Sequence, residues 1–375
     1  MPFFNNLNAP LNIIFMGTPE IASESLRNIL GLFKANILDL KCIYTKPPVW
    51  NSKKRKIIKS SVNMIADEMG IKVRMPKSLK NNSGETEFLK SLDLDLIVVV
   101  AFGLILPDNI LAIPKYGVIN LHPSLLPDLR GPSPVHYAIL KRLRHSGVSI
   151  MALDNGIDTG PIIAQNKVII SKDEYYETLY ENLSKAGGIL LAEVIKTVFK
   201  VRSNVFGYAY PQSLIQTDNI DITETKPVNS DTRRVDFFRD EPLEIYSKIR
   251  AFRESGGAFF IFKNKTIKLV EARLLINRKE FEIKQFERTT GCYDYDDYAA
   301  SASEEIFKHI KNFPECAPAF SPGVVILANM SGFVVKTAKK GVYLSLLKLK
   351  SEGKRLMEYV DFINGYRIKS GDALK

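Results

Sequence analysis

The sequence predicts two domains: an open, mostly parallel α/β sheet followed by a small β-barrel. Through the first half of the chain, short apolar runs alternate with segments of helical period. Periodicity then lapses in a stretch rich in Pro, Thr, Asn and Asp. Beyond it, short alternating runs are separated by tight turns, the pattern of a small barrel. With 375 residues, 45% hydrophobic and 25% charged, the chain has room for two cores.

Leu11–Met16 is a buried first strand, and Gly17–Glu20 turns it into a helix over Ile21–Gly31, with Pro19 suited to the first helical turn. Leu38–Tyr44 is the second strand. A helix over Val62–Gly70 stops at its glycine, and Lys72–Met75 is a short strand. Leu96–Val100, Val118–Leu121 and Val148–Leu153 complete the sheet, and the amphipathic helix Tyr175–Lys200 closes the domain. In such a sheet ligands bind beyond the carboxyl ends of the strands. The first turn lacks the second and third glycines of a dinucleotide fingerprint, which argues against a pyrophosphate cradle there.

Residues 1–206 therefore form the first domain, 207–230 a linker and 231–375 the second domain. The latter holds a helix over Ile245–Phe252 and strands over Phe259–Lys263, Thr266–Leu275, Val324–Leu327, Gly332–Thr337 and Tyr343–Leu349. Residues 278–321 interrupt the strands. Their acidic, tyrosine-rich patch Tyr293–Tyr298 and a helix over Ser303–Lys311 read as an insertion on the barrel surface.

The formal net charge of +11 and the pI of about 9.3 suit an anionic partner, nucleic acid ahead of membrane. No apolar run approaches the roughly 18 residues that span a bilayer. The cysteines Cys42, Cys292 and Cys316 form no CxxC pair and have no histidine at metal spacing, so a reducing compartment and no metal are expected. Met1–Pro10 carries no Lys or Arg and reads as neither a secretory nor a transit signal.

The chemistry concentrates at Asn120, His122 and Asp158. Residues 120 and 122 leave an extended chain on the same side. Asp158 follows the next strand by one turn, where a carboxylate reaches an imidazole. An amide, a histidine and a carboxylate at adjoining strand ends polarise a carbonyl, move a proton and fix a tautomer. Read alone, the same residues are also a satisfied loop histidine and a turn-forming aspartate.

The neighbouring segments break the tie. Phe102–Pro107 (FGLILP), Asn120–Pro127 (NLHPSLLP), Arg130-Gly131-Pro132 and Leu153–Gly160 (LDNGIDTG) stand in order in one region. Together they resemble the 10-formyltetrahydrofolate-dependent formyltransferases. Phe15–Glu20 (FMGTPE), Pro76–Leu79, Ile249–Phe252 (IRAF), Leu347–Met357 and Ser370–Leu374 are similar to the branch of that family that acts on methionyl-tRNA. The resemblance covers nearly the whole chain except residues 278–321 and the first ten.

It implies a Rossmann-like formyltransferase domain followed by an OB-like barrel, with 10-formyltetrahydrofolate as co-substrate and no metal. It places Asn120, His122 and Asp158 at the catalytic positions. Phe102, Gly103, Leu104 and Ile105, with Ser124, Leu125, Leu126 and Pro127, match the folate-binding segments. It implies initiator Met-tRNA as partner, gripped by Trp50 and by Lys53, Lys54, Arg55 and Lys56, with phosphates meeting cations and a base stacking on the indole. A monomer is expected. Formylated initiator serves bacterial-type translation, so the expected compartment is the mitochondrial matrix, with a bacterial cytoplasm as the alternative. Two departures stand out: Val49 where bacterial members carry Arg, and Pro123 where many carry Gly. The alternative readings are a formyltransferase for a small amine and a catalytically silent RNA-binding homologue.

Overall fold

In the computed structural model, which describes residues 9–51, 55–205, 216, 222–277, 291–299 and 321–374, the strand–helix alternation of the first half builds a seven-stranded sheet. The elements run β1 (Leu11–Gly17), α1 (Glu20–Lys34), β2 (Leu38–Tyr44), β3 (Val49–Asn51), β4 (Lys56–Ile58), α2 (Ser61–Met69) and β5 (Val73–Arg74). They continue with α3 (Ser83–Lys90), β6 (Leu96–Val100), α4 (Asp108–Leu111), β7 (Val118–His122), α5 (Pro134–Leu140), β8 (His145–Ala152), β9 (Ile162–Ile169) and α6 (Tyr176–Val201). Two compact units result. Unit 1 comprises Met1–Pro134, Ser146–Ile169 and Tyr180–Thr225, and unit 2 comprises Val135–His145, Ile170–Leu179 and Lys226–Lys375.

The strand order in unit 1 is β5-β2-β1-β6-β7-β8-β9. The pairings from β5 through β7 are parallel, and β7 pairs with β8 antiparallel. Chain order reverses direction between β1 and β6, which makes the carboxyl ends there a topological switch point. Alternation feeds two cores. Ile13, Phe15, Val98 and Val100 pack on one face of the sheet, and Ile14, Met16, Ile97 and Val99 on the other. That two-sided burial is why β6 reads as the unbroken apolar run LIVVV. Helix α2 starts where the Ser60 hydroxyl accepts from the Asn63 N–H and ends at Gly70, which is left-handed with φ +65°. Gly187 lets α6 close on β7, since a Cβ there would stand 2.7 Å from the Leu121 side chain. Among the described residues no helix is long and apolar enough to cross a membrane.

Unit 2 holds α7 (Ser230–Arg233), α8 (Pro242–Phe252), β10 (Ala258–Phe262), β11 (Lys265–Ile276), α9 (Tyr295–Ala299), β12 (Val325–Asn329), β13 (Gly332–Lys336), β14 (Val342–Ser351), β15 (Met357–Glu358) and α10 (Tyr359–Tyr366). Its sheet is antiparallel in the order β10-β11-β14-β13-β12, with β15 on β14. Ile245, Ile249, Phe260, Leu269, Phe333 and Phe362 fill its core.

Within the patch Tyr293–Tyr298, Tyr298 is buried and Tyr293 and Asp297 are half-buried, which corrects the expectation of a surface patch at these positions. Tyr298 is 1% exposed and donates its hydroxyl to the Lys172 carbonyl at 2.6 Å. Tyr293 donates to the Ile170 carbonyl at 2.7 Å, and Arg144 Nη2 holds both carboxylate oxygens of Asp297 at 2.8 and 2.7 Å. Aromatic bodies bury while their polar tips find partners. The helix expected over Ser303–Lys311 lies outside the described residues.

His136, also in unit 2, stacks on Tyr176 and Phe252 with ring centroids 4.2 and 5.4 Å away, and its Nε2 lies 3.0 Å from the Ser255 hydroxyl. Burial pushes its imidazole down to about 4. An unfolded histidine titrates near 6.5, so across that window the unfolded chain binds a proton that the folded chain refuses. The resulting stability is fully present above the unfolded pKa and is lost as pH falls toward the folded one, by on the order of 3 kcal/mol in all. Urea unfolding of wild type and His136→Phe at neutral and mildly acidic pH should show a steeper acid loss in wild type; parallel curves would contradict this.

Candidate active site

The carboxyl end of β7 presents Asn120 and His122. This strand is hydrogen-bonded on both sides, with Val99 and Met151 opposite Asn120, so both Cα positions are set by the sheet. Asn120 is half-buried and His122 is 5% exposed. The His122 Nε2 lies 3.0 Å from the carbonyl oxygen of Leu129. A carbonyl only accepts, so Nε2–H is the donor there. The other nitrogen, Nδ1, faces Asp158 Oδ2 at 3.4 Å. That same carboxylate oxygen accepts the Gly131 N–H at 2.8 Å.

Asp158 sits at φ +54° in the loop after β8. The loop is folded on itself by Asp154, whose Oδ1 accepts from the Gly156 N–H at 3.1 Å and the Thr159 hydroxyl at 2.7 Å. The structure therefore brings His122 and Asp158 together and sets Asn120 two residues before His122 on the same strand. It adds two contributors with no side-chain signal in the sequence, the Leu129 carbonyl and the Gly131 N–H. Gly131 was visible only as a glycine. Its φ of +102° and the Thr225 carbonyl oxygen, which would stand 2.7 Å from a Cβ, explain why it is one.

The segment read as a linker also reaches this loop. Leu129 N–H donates to the Thr223 hydroxyl at 3.0 Å, and Gln216 Oε1 accepts from Arg130 Nε at 2.9 Å. Arg130 is buried, and its Nη2 has no hydrogen-bond partner among the described residues.

The residues expected around a folate divide into two groups. Gly103, Leu104 and Ile105 line a cleft of about 500 Å³ together with Ser78, Leu79, Lys80 and Pro107. Ile105 is 88% exposed there, and the Lys46 ammonium lies over Gly103. Phe102, Ser124 and Leu126 are buried instead. Phe102 packs edge-on against Tyr44, and the Ser124 hydroxyl donates to the Asp128 carbonyl at 2.6 Å. Leu126 N–H donates to the Ser149 hydroxyl at 3.0 Å. Leu125 and Pro127 are half-buried.

Of the residues expected to grip a polyanion, Trp50 stands opposite Ile57 in the β3–β4 hairpin, and these two are 64% and 65% exposed. Arg55 and Lys56 are exposed, and Lys53 and Lys54 lie outside the described residues. The exposed indole and isoleucine stand side by side on the hairpin strands, beside exposed Arg55 and Lys56.

Chemically, the three residues offer an amide donor for a developing oxyanion, a ring nitrogen free to take and return a proton, and a carboxylate to stabilise the imidazolium that results.

Known proteins resemble this chain along most of its length. Residues 11–195 match the formyl transferase family model, and residues 227–367 match that of the formyl transferase C-terminal domain. The chain is 31% identical to a methionyl-tRNA formyltransferase of Caldicellulosiruptor saccharolyticus, over 97% of this chain and 100% of that one. It is 33% identical to one of Ehrlichia ruminantium, over 96% and 98% of the respective chains. It shares its fold with the crystal structure of WlaRD, a sugar 3N-formyl transferase, at a TM-score of 0.55 and 21% identity, over 92% of this chain and 99% of the other.

Replacing Gly131 with alanine forces a left-handed backbone on a residue with a Cβ and drives that carbon into Thr225. Gly131→Ala should cost at least about 1 kcal/mol in urea unfolding. Unchanged stability would mean that the loop relaxes freely and does not hold Asp158.

Proposed function

We infer that this chain, which belongs to the methionyl-tRNA formyltransferase family, transfers the formyl group of 10-formyltetrahydrofolate to the α-amine of methionyl-initiator-tRNA. One observation carries the reading. The relatives match across both family domains, and within the first of these His122 faces Asp158 two residues beyond Asn120.

The folate brings an activated formyl group, so the protein's task is to bind, orient and stabilise charge. The α-amine attacks the formyl carbon, and the carbonyl oxygen becomes an oxyanion. Asn120 donates its side-chain amide to that oxygen. Nε2 of His122 is committed to Leu129, so Nδ1 is the nitrogen that serves the reaction. Nδ1 takes the proton that the amine loses, and Asp158 stabilises the charged ring. As an imidazolium, His122 also donates to the oxyanion. The C–N10 bond then breaks, N10 receives the proton, and the formyl amide and tetrahydrofolate leave.

The reading assigns Phe102, Gly103, Leu104, Ile105, Ser124, Leu125, Leu126 and Pro127 to the folate site, the buried ones as its support. It assigns Trp50, Lys53, Lys54, Arg55 and Lys56 to the tRNA acceptor end, with Val49 leaving first-pair recognition to other groups. In functional terms, residues 1–206 carry catalysis, 207–230 connect, and 231–375 bind tRNA. The chain works as a monomer. Of the two compartments that run bacterial-type translation, the bacterial relatives support a bacterial cytoplasm. The Lys/Asn/Ile-rich composition and residues 278–321 are the features that favour the mitochondrial matrix.

The test is formyl transfer to initiator Met-tRNA, elongator Met-tRNA, free methionine and an amino-sugar nucleotide. Transfer to initiator Met-tRNA is expected; transfer confined to a small amine would replace the substrate, and none to any acceptor would leave an RNA-binding homologue. Asn120→Ala, His122→Ala and Asp158→Ala should each lower turnover at least roughly 100-fold while remaining folded. Near-wild-type turnover in any of them removes that residue from the mechanism.

A further inference from the structure

Thr223–Thr225 runs beside the loop that aims the site. Arg130 N–H donates to the Thr223 carbonyl at 3.0 Å, and Thr225 N–H donates to the Arg130 carbonyl at 2.7 Å, one parallel bridge of backbone. The side chains join in. The Thr223 hydroxyl accepts the Leu129 N–H at 3.0 Å, and the Thr225 hydroxyl donates to the Arg130 carbonyl at 3.0 Å while accepting the Ser133 N–H at 3.2 Å. Gln216 ties the second loop to the first. Its Oε1 accepts from Arg130 Nε, and its Nε2 donates to the carbonyls of Asp158 and Gly160 at 3.1 and 2.8 Å. Thr225 and Gln216 are 6% and 9% exposed, whereas a passive connector would leave such groups to water.

These contacts fall on the very residues whose backbone sets the catalytic pair. The Leu129 carbonyl holds His122, and the Gly131 N–H holds Asp158. We propose that Thr223, Thr225 and Gln216 form a positioning strap of the active site, which keeps the Leu129–Gly131 backbone and the Asp158 loop in the geometry that aims His122. None of the three touches the reacting atoms; they act through the backbone they fix. The strap rests on the formyl-transfer reading for its effect on turnover.

Valine matches threonine in shape and lacks the hydroxyl. The double variant Thr223→Val/Thr225→Val should lose roughly 10- to 100-fold in kcat, with KM for Met-tRNA and for the folate changed less than about twofold. Thr223→Ser/Thr225→Ser, which restores the hydroxyls, should recover most of that loss. An unchanged kcat, an equal fall in the valine and serine pairs, or a change confined to KM would each overturn the strap. Should the valine pair fail to fold, Gln216→Leu decides by the same kcat-against-KM split. If the wild-type protein transfers no formyl at all, the reaction assignment fails and the strap is judged by ¹⁵N NMR. The His122 ring resonances then shift in the valine pair and return in the serine pair, or stay unmoved and overturn it.

Discussion

One short stretch of backbone, Leu129 to Gly131, sets the geometry on which the site depends. Its carbonyl at Leu129 and its N–H at Gly131 fall on the two ionisable residues of the site, one partner each. Leaving a buried polar group unpaired costs about 1–3 kcal/mol, so the ring of His122 has one strongly favoured orientation. That orientation gives its two nitrogens different surroundings: Nε2 meets the Leu129 carbonyl and Nδ1 faces Asp158. A strand paired on both sides supplies the second constraint, because it fixes the origins of Asn120 and His122 before any loop is placed.

The two constraints differ in kind. The sheet is held by two apolar cores, and the loops at its edge add a network of polar contacts to the burial of Leu126 and Leu129. Asn120, His122 and Asp158 lie where these meet, at the carboxyl ends beside the switch point. A nearly dry histidine and a half-buried carboxylate act more strongly on developing charge than the same pair would in water. The hairpin with Trp50 is the opposite case, its indole exposed beside exposed Arg55 and Lys56, a surface chemistry that suits a large polyanion.

How much of this was legible follows from where the information sits. β1 and β6 could be read because parallel strands covered on both faces are apolar throughout. β9 could not, because its Gln165–Lys167 centre is exposed and breaks any strand pattern. Helix α3 buries only Thr86 and Leu89, too few positions for a period, although Asn82 caps it. Tyr298 looked solvated among acidic residues, since its partner Lys172 lies 126 positions away. At the site, Asn120, His122 and Asp158 declared themselves through side-chain chemistry. The Leu129 carbonyl did not, because every residue has one. Thr223 and Thr225 did not, because their contacts span more than ninety positions.

The most direct test of the central claim is a structure of the protein with a transfer-resistant 10-formyl folate analogue. The account places the formyl oxygen within about 2.7–3.1 Å of the Asn120 amide, with Nδ1 of His122, not Nε2, turned to the formyl group. A formyl oxygen remote from Asn120, or a His122 ring flipped to offer Nε2 while Nδ1 meets Leu129, would contradict it.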